Sequence, residues 1–120
     1  MNDKQVYGLT GEQIAYKYLK KHGYKILERN FKCPLGELDM IAMHKGELVF
    51  VEVKSRNTLE YGRPCEAVDW AKQQKIQRLA EYYINYTKRY SLIARFDVVE
   101  VLGNKVNLIQ DAWEIGPKDY

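Results

Sequence analysis

Residues 36–54 read GELDMIAMHKGELVFVEVK and decide the fold. Two apolar runs flank a polar tetrapeptide, residues 44–47, whose glycine favours a turn, so the segment predicts a β-hairpin. If residues 44 and 47 are the pair that closes the turn, residue 43 pairs with residue 48, and the pairing continues in this way away from the turn. Asp39 then lies across from Glu52. Side chains alternate between the two faces of a strand, so Glu52 shares a face with Lys54. A loop one residue longer on one side would reverse this parity.

The predicted hairpin brings two carboxylates and an amine together, which is unfavourable unless something compensates. Carboxylates at opposed strand positions repel each other, and two that are held close share either a proton or a cation. Oxygen ligands suit Mg2+ or Mn2+. A lysine beside such an ion could orient water or stabilise charge on a phosphate. The alternative that stays open is a Glu–Lys pair on a solvated strand face.

Length and composition predict one folded domain over residues 1–120, with an ordered core at about residues 8–113. The 19 basic and 16 acidic residues give a net charge of +3, which permits nucleic-acid binding without requiring it. Cys33 and Cys65 form no CxxC pair, and we expect reduced thiols. Because no apolar run reaches membrane-spanning length and no signal-peptide pattern is present, we expect a cytoplasmic protein without a membrane partner.

Helix and strand patterns follow one another along the chain. Thr10 is a predicted N-cap with Gln13 at the capping-box position, and Gly23 suits the end of that helix. The order of elements predicts an α/β fold, a mixed sheet with helices packed on it. The remaining predicted elements are a strand at 24–32, the hairpin, a polar loop at 55–65, a long helix within 66–90, and a second hairpin with strands at 92–102 and 105–109.

The long helix carries a basic ridge and a group of tyrosines. Lys72, Lys75 and Arg78 lie three residues apart and therefore share a face, a pattern that solvated helix faces also show. Tyrosines suit the edge of a core or a partner surface, and the sequence does not identify these as a stacking platform for bases. They are Tyr82, Tyr83, Tyr86 and Tyr90.

The hairpin residues resemble the PD-(D/E)XK nuclease motif. Asp39 matches the aspartate of that motif, and Glu52-Val53-Lys54 matches its (D/E)XK tripeptide. The residue before Asp39 is Leu38 and not proline, and proline is the less constant element there.

The wider pattern is similar to the YraN-like (UPF0102) family of small bacterial proteins, which is itself similar to archaeal Holliday junction resolvases. The resemblance covers about residues 8–113 and implies a restriction-endonuclease-like core, with a mixed β-sheet flanked by helices. The matching motifs are Gly11-Glu12 with Ala15 and Leu19, Gly36-Glu37-Leu38-Asp39, residues 52–56, and Arg95-Phe96-Asp97-Val98.

The resemblance implies a role for each matching residue of the hairpin and first helix. Asp39 and Glu52 would be metal ligands for Mg2+ or Mn2+, with the Val53 carbonyl as a third oxygen. Lys54 would orient or activate the attacking water. Glu12 would be an outer ligand or contact a metal-bound water, whereas its position alone favours a partner of the helix dipole.

Three basic residues are implied as nucleic-acid contacts: Arg56, Lys75 and Arg95. Lys75 is expected on the inner side of the long helix. Arg95 would contact phosphate or hold carboxylates in place, and Asp97 could equally be a structural partner for it. His44, at the hairpin turn, is expected to be solvated.

The predicted function is a metal-dependent nuclease that acts on DNA, including branched recombination or repair intermediates, and that pairs its sites in a homodimer. The alternative is a catalytically inactive module that binds nucleic acid or protein on the same fold, or a purely structural subunit. The modest net charge favours a binding module slightly, whereas the charged cluster on the hairpin favours catalysis. Metal binding discriminates between these functions.

Overall fold

A computed structural model describes residues 10–56 and 68–114. The strands in these ranges form one mixed sheet in the order β1-β2-β3-β4-β5, in which β3 and β4 are parallel and the other neighbours antiparallel. This architecture confirms the α/β class and is compatible with a restriction-endonuclease-like core. The elements are α1 (Gly11–Lys21), β1 (Lys25–Cys33), β2 (Gly36–His44), β3 (Glu47–Arg56), α2 (Trp70–Thr87), β4 (Ala94–Leu102) and β5 (Lys105–Ile109).

The central hairpin has the predicted register. His44 pairs with Glu47, and regular pairing continues outward to Met40 opposite Val51. The turn residues Lys45 and Gly46 have φ values of 51° and 80°, as a two-residue turn that matches the twist of the strands requires. The turn therefore determines which side chains of β3 share a face.

The N-terminal end of α1 is held by a capping box and by a close contact with β3. The Thr10 side chain accepts the Gln13 backbone N–H at 3.1 Å, and the Gln13 side chain accepts the Thr10 N–H at 2.8 Å. A Cβ atom at Gly11 would lie 2.6 Å from the Ser55 Cβ, so only glycine allows this approach. The first turn of α1, which contains Glu12, is thereby placed against the end of β3.

Apolar residues form a core on each face of the sheet, with α2 covering one face and α1 the other. The α2 core contains Leu38, Ile41, Leu48, Phe50, Ile76, Leu79, Ala80, Tyr83, Phe96 and Val98. The α1 core contains Ala15, Leu19, Tyr24, Met40, Ala42, Val49, Val51, Val99 and Val101.

The long helix α2 lies within the block predicted at 66–90. The Asp69 side chain caps its first turn, and Lys88, with φ of 58°, ends it. Residues 55 and 56 extend β3 instead of opening the predicted loop, and the rest of that loop, with Cys65, lies outside the described residues. No helix in the described ranges is long and apolar enough to cross a membrane.

Candidate functional site

Strands β2 and β3 separate at Asp39. Regular pairing between them ends at Met40 and Val51. On the other side of β2, Asn30 of β1 faces Asp39 and has a φ of 54°. Leu38 and Met40 should share a face, yet Leu38 packs in the α2 core and Met40 in the α1 core. The backbone therefore rotates at Asp39, which removes this residue from the regular ladder.

The Asp39 carboxylate replaces the missing ladder contact with a hydrogen bond of its own. Its Oδ2 accepts the Val53 backbone N–H at 2.8 Å. Burial, together with the neighbouring Glu52 and Glu12 carboxylates, raises the pKa of Asp39 to about 7, although the hydrogen bond from the Val53 N–H acts to lower this pKa. Near neutral pH, a substantial fraction of Asp39 is therefore protonated.

Glu52 lies on the α2 face of β3, where two amines approach it. Its Oε2 is 3.3 Å from the Lys54 Nζ and 3.3 Å from the Lys72 Nζ. The Glu52 side chain is 7% exposed, whereas those of Lys54 and Lys72 are 26% and 41% exposed. Val53 points to the other face and packs against the α1 core. The predicted alternation of faces along β3 is therefore observed.

Lys72 is a site residue that the sequence analysis did not single out, although it belongs to the basic ridge of α2. Lys75 was expected on the inner side of this helix, but it is exposed. Its Nζ lies over the turn between β1 and β2, 3.6 Å from where a Cβ of Gly36 would stand. The rotation of α2 about its axis directs Lys72, and not Lys75, toward Glu52.

Glu12 reaches the same region from α1. It is half-buried in the first turn of that helix, and its charge contributes to the raised pKa of Asp39. The structure thus brings Asp39, Glu52, Lys54, Glu12 and Lys72 together, and we call these five residues the fork site.

The two remaining predicted nucleic-acid contacts are Arg56 and Arg95, and of their side chains the structure describes only that of Arg95, which lies away from the fork site. Arg56 ends β3 opposite Leu102, and its side chain lies outside the described residues. Arg95 of β4 pairs with Val49 of β3, and Val49 lies three residues before Glu52 in the sequence. It lies on the α1 face, where it contacts Tyr24.

Arg95 is the centre of a second polar cluster. It donates to Asp97 at 3.0 and 3.1 Å and to Glu47 at 2.6 Å. Asp97 is fully buried and also accepts the Tyr24 hydroxyl at 2.7 Å and the Asp111 N–H at 2.9 Å. These contacts agree with the interpretation of Asp97 as a structural partner of Arg95.

His44 belongs to this second cluster, and the expectation that it is solvated is wrong. It is 7% exposed and stacks on Tyr24 at 4.0 Å between ring centroids. Its Nδ1 accepts from Arg95 Nη2 at 2.8 Å. Burial and the Arg95 charge lower the pKa of His44, so the ring is neutral at physiological pH. We call Arg95, Asp97, Glu47, Tyr24 and His44 the Arg95 cluster.

The fork site has the ligand chemistry of a small, hard cation. Among the described residues, no group of three or more histidine, cysteine or acidic side chains is arranged to hold a metal ion. Asp39 and Glu52 instead form a pair of carboxylates, and Val53, which directly follows Glu52, donates its backbone N–H to Asp39. Mg2+ is commonly held by one or two carboxylates, with water and substrate phosphate as its other ligands.

The fold and site define a small α/β protein with a buried carboxylate pair where two strands separate. Residues 11–101 match the family described as "Uncharacterised protein family UPF0102", and the chain belongs to this family. It is 48% identical over 118 residues to a UPF0102 protein of Caldanaerobacter subterraneus subsp. tengcongensis, covering 92% of this chain and 97% of the relative. A Clostridium acetobutylicum UPF0102 protein is 50% identical over 114 residues, covering 90% and 93%.

Proposed function

We propose that this protein is a metal-dependent nuclease that hydrolyses phosphodiester bonds in DNA. The observation that carries the proposal is the convergence of Asp39, Glu52 and Lys54 where β2 and β3 separate. Burial and neighbouring carboxylates raise the pKa of Asp39 to about 7, so the metal-free site is held in an unfavourable arrangement of charges. Strongly perturbed carboxylates of this kind cluster at functional sites.

Asp39 and Glu52 would hold Mg2+ or Mn2+, with the Val53 carbonyl as a third oxygen ligand. Two side chains suffice for such an ion, because water and a substrate phosphate complete its shell. Glu12, on the α1 side, would contact a water of that shell. When bound, the ion polarises the phosphate and makes a bound water more acidic.

The two lysines supply the remaining chemistry. The Lys54 amine lies 3.3 Å from Glu52 and is partly exposed, so it stands between the buried carboxylate and solvent, where a phosphate would enter. There it would orient the attacking water and offset negative charge on the phosphate. Lys72 approaches Glu52 from α2 and would contact the same phosphate. Both amines neutralise Glu52 until the substrate is bound.

Cleavage assays on conservative variants test this assignment. We expect Asp39→Asn, Glu52→Gln and Lys54→Met to reduce Mg2+-dependent cleavage of branched and duplex DNA at least about a hundredfold. The matched control is Glu47→Gln, which removes a carboxylate from the same strand at the Arg95 cluster. Undiminished cleavage by a folded, pure Asp39→Asn preparation would contradict the proposal.

The second candidate function is a nucleic-acid-binding module without catalysis. The observation in its favour is that Glu52 is already neutralised by Lys54 and Lys72 at 3.3 Å each, so its charge is compensated without a metal ion. In that case DNA binding would not change with added Mg2+ or Mn2+. The nuclease proposal instead requires binding of the ion at the fork site.

We also propose that the protein acts on branched DNA as a homodimer. Two copies related by a two-fold axis would present two fork sites and cut two strands of one junction. Light scattering with and without junction DNA measures the assembly. A monomer that cuts both strands at equal rates would contradict this proposal.

A further inference from the structure

Helix α2 presents one exposed face that the core does not use. Lys75, Arg78, Tyr82 and Tyr86 are three or four residues apart, so they share a face of the helix, and all four are exposed. The adjacent face carries the buried residues of the α2 core, among them Leu79 and Tyr83. We call these four exposed residues the α2 stripe.

The aromatic end of the α2 stripe is more exposed than a folding role requires. Tyr86 is 72% exposed and Tyr82 is 36% exposed, whereas Tyr83 is 2% exposed and supplies the aromatic packing of the core. The Tyr82 and Tyr86 rings are nearly parallel, with an interplanar angle of 16° and centroids 6.4 Å apart. Phe31 of β1 lies 6.4 Å from Tyr82. Flat aromatic surface is therefore available to a ligand.

The basic end of the α2 stripe begins at the fork site. Lys72, whose amine contacts Glu52 at 3.3 Å, lies one helical turn before Lys75. From Lys72 to Tyr86 the helix advances by about 21 Å, at 1.5 Å per residue. Positive charge thus lies beside the carboxylate pair, and exposed aromatic rings lie further away along the same helix.

We propose that the α2 stripe binds an unpaired strand of DNA that leads into the fork site. Lys75 and Arg78 contact its phosphates, and Tyr82 and Tyr86 stack on its bases. This inference rests on the proposed function and narrows the substrate to DNA with a single-stranded arm beside the scissile bond.

Two physical arguments favour an unpaired strand over a duplex or a protein. Bases in a duplex stack on one another, so their flat faces reach an aromatic side chain only when the strand is unpaired. A single strand offers its phosphates to basic groups and its base faces to aromatic rings, and the α2 stripe carries both kinds of side chain. The stripe is also continuous with a site at which a phosphate would be cleaved.

The distance from the fork site to the far end of the stripe predicts the length of the bound arm. The span of about 21 Å from Lys72 to Tyr86 corresponds to roughly six stacked nucleotides at about 3.4 Å each, and to fewer when the strand is extended. Affinity should rise with the length of a single-stranded tail up to about six nucleotides and then level off.

The test measures DNA binding by fluorescence anisotropy in the presence of a chelator, so that no cleavage occurs. The probes are a labelled duplex without a tail and the same duplex with single-stranded tails of about three to about twelve nucleotides. We expect the wild type to bind the longer-tailed duplexes at least about tenfold more tightly than the blunt one, because each base stacked on an aromatic ring adds about that factor.

Matched variants separate stacking from apolar area and from charge. Tyr86→Leu should lose about tenfold in affinity for tailed DNA and nothing for blunt DNA, whereas Tyr86→Phe should bind as the wild type does. Lys75→Gln should lower the slope of log affinity against log salt by about 0.7. Lys21→Gln removes the same charge from the exposed surface of α1, on the other face of the sheet, and should leave tailed-DNA binding unchanged.

Equal binding of tailed and blunt DNA by the wild type would overturn this inference, as would wild-type affinity of Tyr86→Leu for tailed DNA. A change of oligomeric state in Tyr86→Leu without a change in DNA binding would also overturn it, since the face would then contact a second copy. Cleavage assays on the same preparations keep the two proposals apart. Tail-dependent binding without cleavage would support DNA binding by the α2 stripe and contradict the nuclease proposal. Cleavage without tail-dependent binding would support the nuclease proposal and contradict DNA binding by the α2 stripe.

Discussion

Two clusters of charged residues lie on the two faces of one sheet, and they use charge in opposite ways. In the Arg95 cluster one guanidinium binds two carboxylates, Asp97 and Glu47, within 3.1 Å. In the fork site burial, together with the nearby Glu52 and Glu12 carboxylates, raises the pKa of Asp39 to about 7. Both carboxylates of the first cluster bind Arg95, whereas Asp39 in the second lies beside other carboxylates.

The Arg95 cluster has the properties of a structural element. Although burial lowers the pKa of Arg95, its hydrogen bonds with Asp97 and Glu47 raise that pKa above the ordinary value. Asp97 is fully buried and accepts hydrogen bonds from Arg95, Tyr24 and Asp111. Every charge in the cluster has a partner, so removing one partner leaves another group buried and unsatisfied.

The properties of the fork site agree with the function proposed for it. Asp39 is protonated more readily than an ordinary aspartate because burial and two neighbouring carboxylates disfavour its charge. A protein gains no stability from such an arrangement, and stability is commonly lost where function requires it. The two clusters are similar in composition but differ in which charged state the fold stabilises.

The largest expected effect concerns the Arg95 cluster. Arg95→Met should lower the free energy of unfolding by about 3–5 kcal/mol, because it leaves Asp97 buried without its cation. Lys54→Met at the fork site is the matched control and should change it by less than about 1 kcal/mol, since that ion pair is partly exposed. Urea unfolding at neutral pH measures both. If Arg95→Met lowered the free energy of unfolding by less than about 1 kcal/mol, the two clusters would not differ in their contribution to stability.

The second expected effect is an increase in the free energy of unfolding, and its size depends on pH. The pKa of Asp39 is raised to about 7 in the folded protein, whereas it is near 4 in the unfolded chain. The stability that protonated Asp39 contributes is therefore fully present below about pH 4 and is lost as pH rises to 7. Asp39→Asn carries no charge at any pH, so it should be more stable than the wild type by up to roughly 4 kcal/mol above pH 7 and nearly equal at pH 4.

Urea unfolding from pH 4 to pH 9, with a chelator present, measures this difference. Glu47→Gln is the control, since its carboxylate is paired with Arg95 in the folded protein and its removal should not stabilise the chain at high pH. A stability difference between Asp39→Asn and the wild type that stays constant with pH would show that the Asp39 pKa is not raised.

The smallest expected effect distinguishes two lysines of α2. Lys72→Met should lower cleavage of blunt duplex DNA about tenfold, because Lys72 contacts Glu52 and the phosphate would lie beside it. Lys75→Met should change cleavage of this substrate less than about threefold. Neither should alter the free energy of unfolding by more than about 0.5 kcal/mol, since both side chains are largely exposed. If Lys72→Met and Lys75→Met lowered cleavage equally, the scissile phosphate would not lie beside Lys72.

Local chemistry made much of this structure predictable. The turn between β2 and β3 determines their register, so alternation placed Glu52 and Lys54 on one face. The capping box of Thr10 and Gln13 determines where α1 begins. These features depend on residues a few positions apart, which the sequence shows directly.

The remaining features depend on contacts between distant parts of the chain. The rotation of α2 that selects Lys72 over Lys75 is determined by packing on the sheet. The burial of His44 depends on Tyr24 and Arg95, which approach it from other strands and loops. The backbone rotation at Asp39 accompanies the positive φ of Asn30 on the neighbouring strand, and no local motif predicts it.

A calorimetric titration with Mn2+ tests the central claim most directly, namely that Asp39 and Glu52 hold a divalent cation. Wild-type protein and Glu47→Gln should bind one ion and release a proton at pH 6, with no proton released at about pH 8.5, because the ion displaces the proton of Asp39, whose pKa is about 7. Asp39→Asn should bind at least about a hundredfold more weakly. Equal binding by wild type and Asp39→Asn, or no binding by either, would contradict the account.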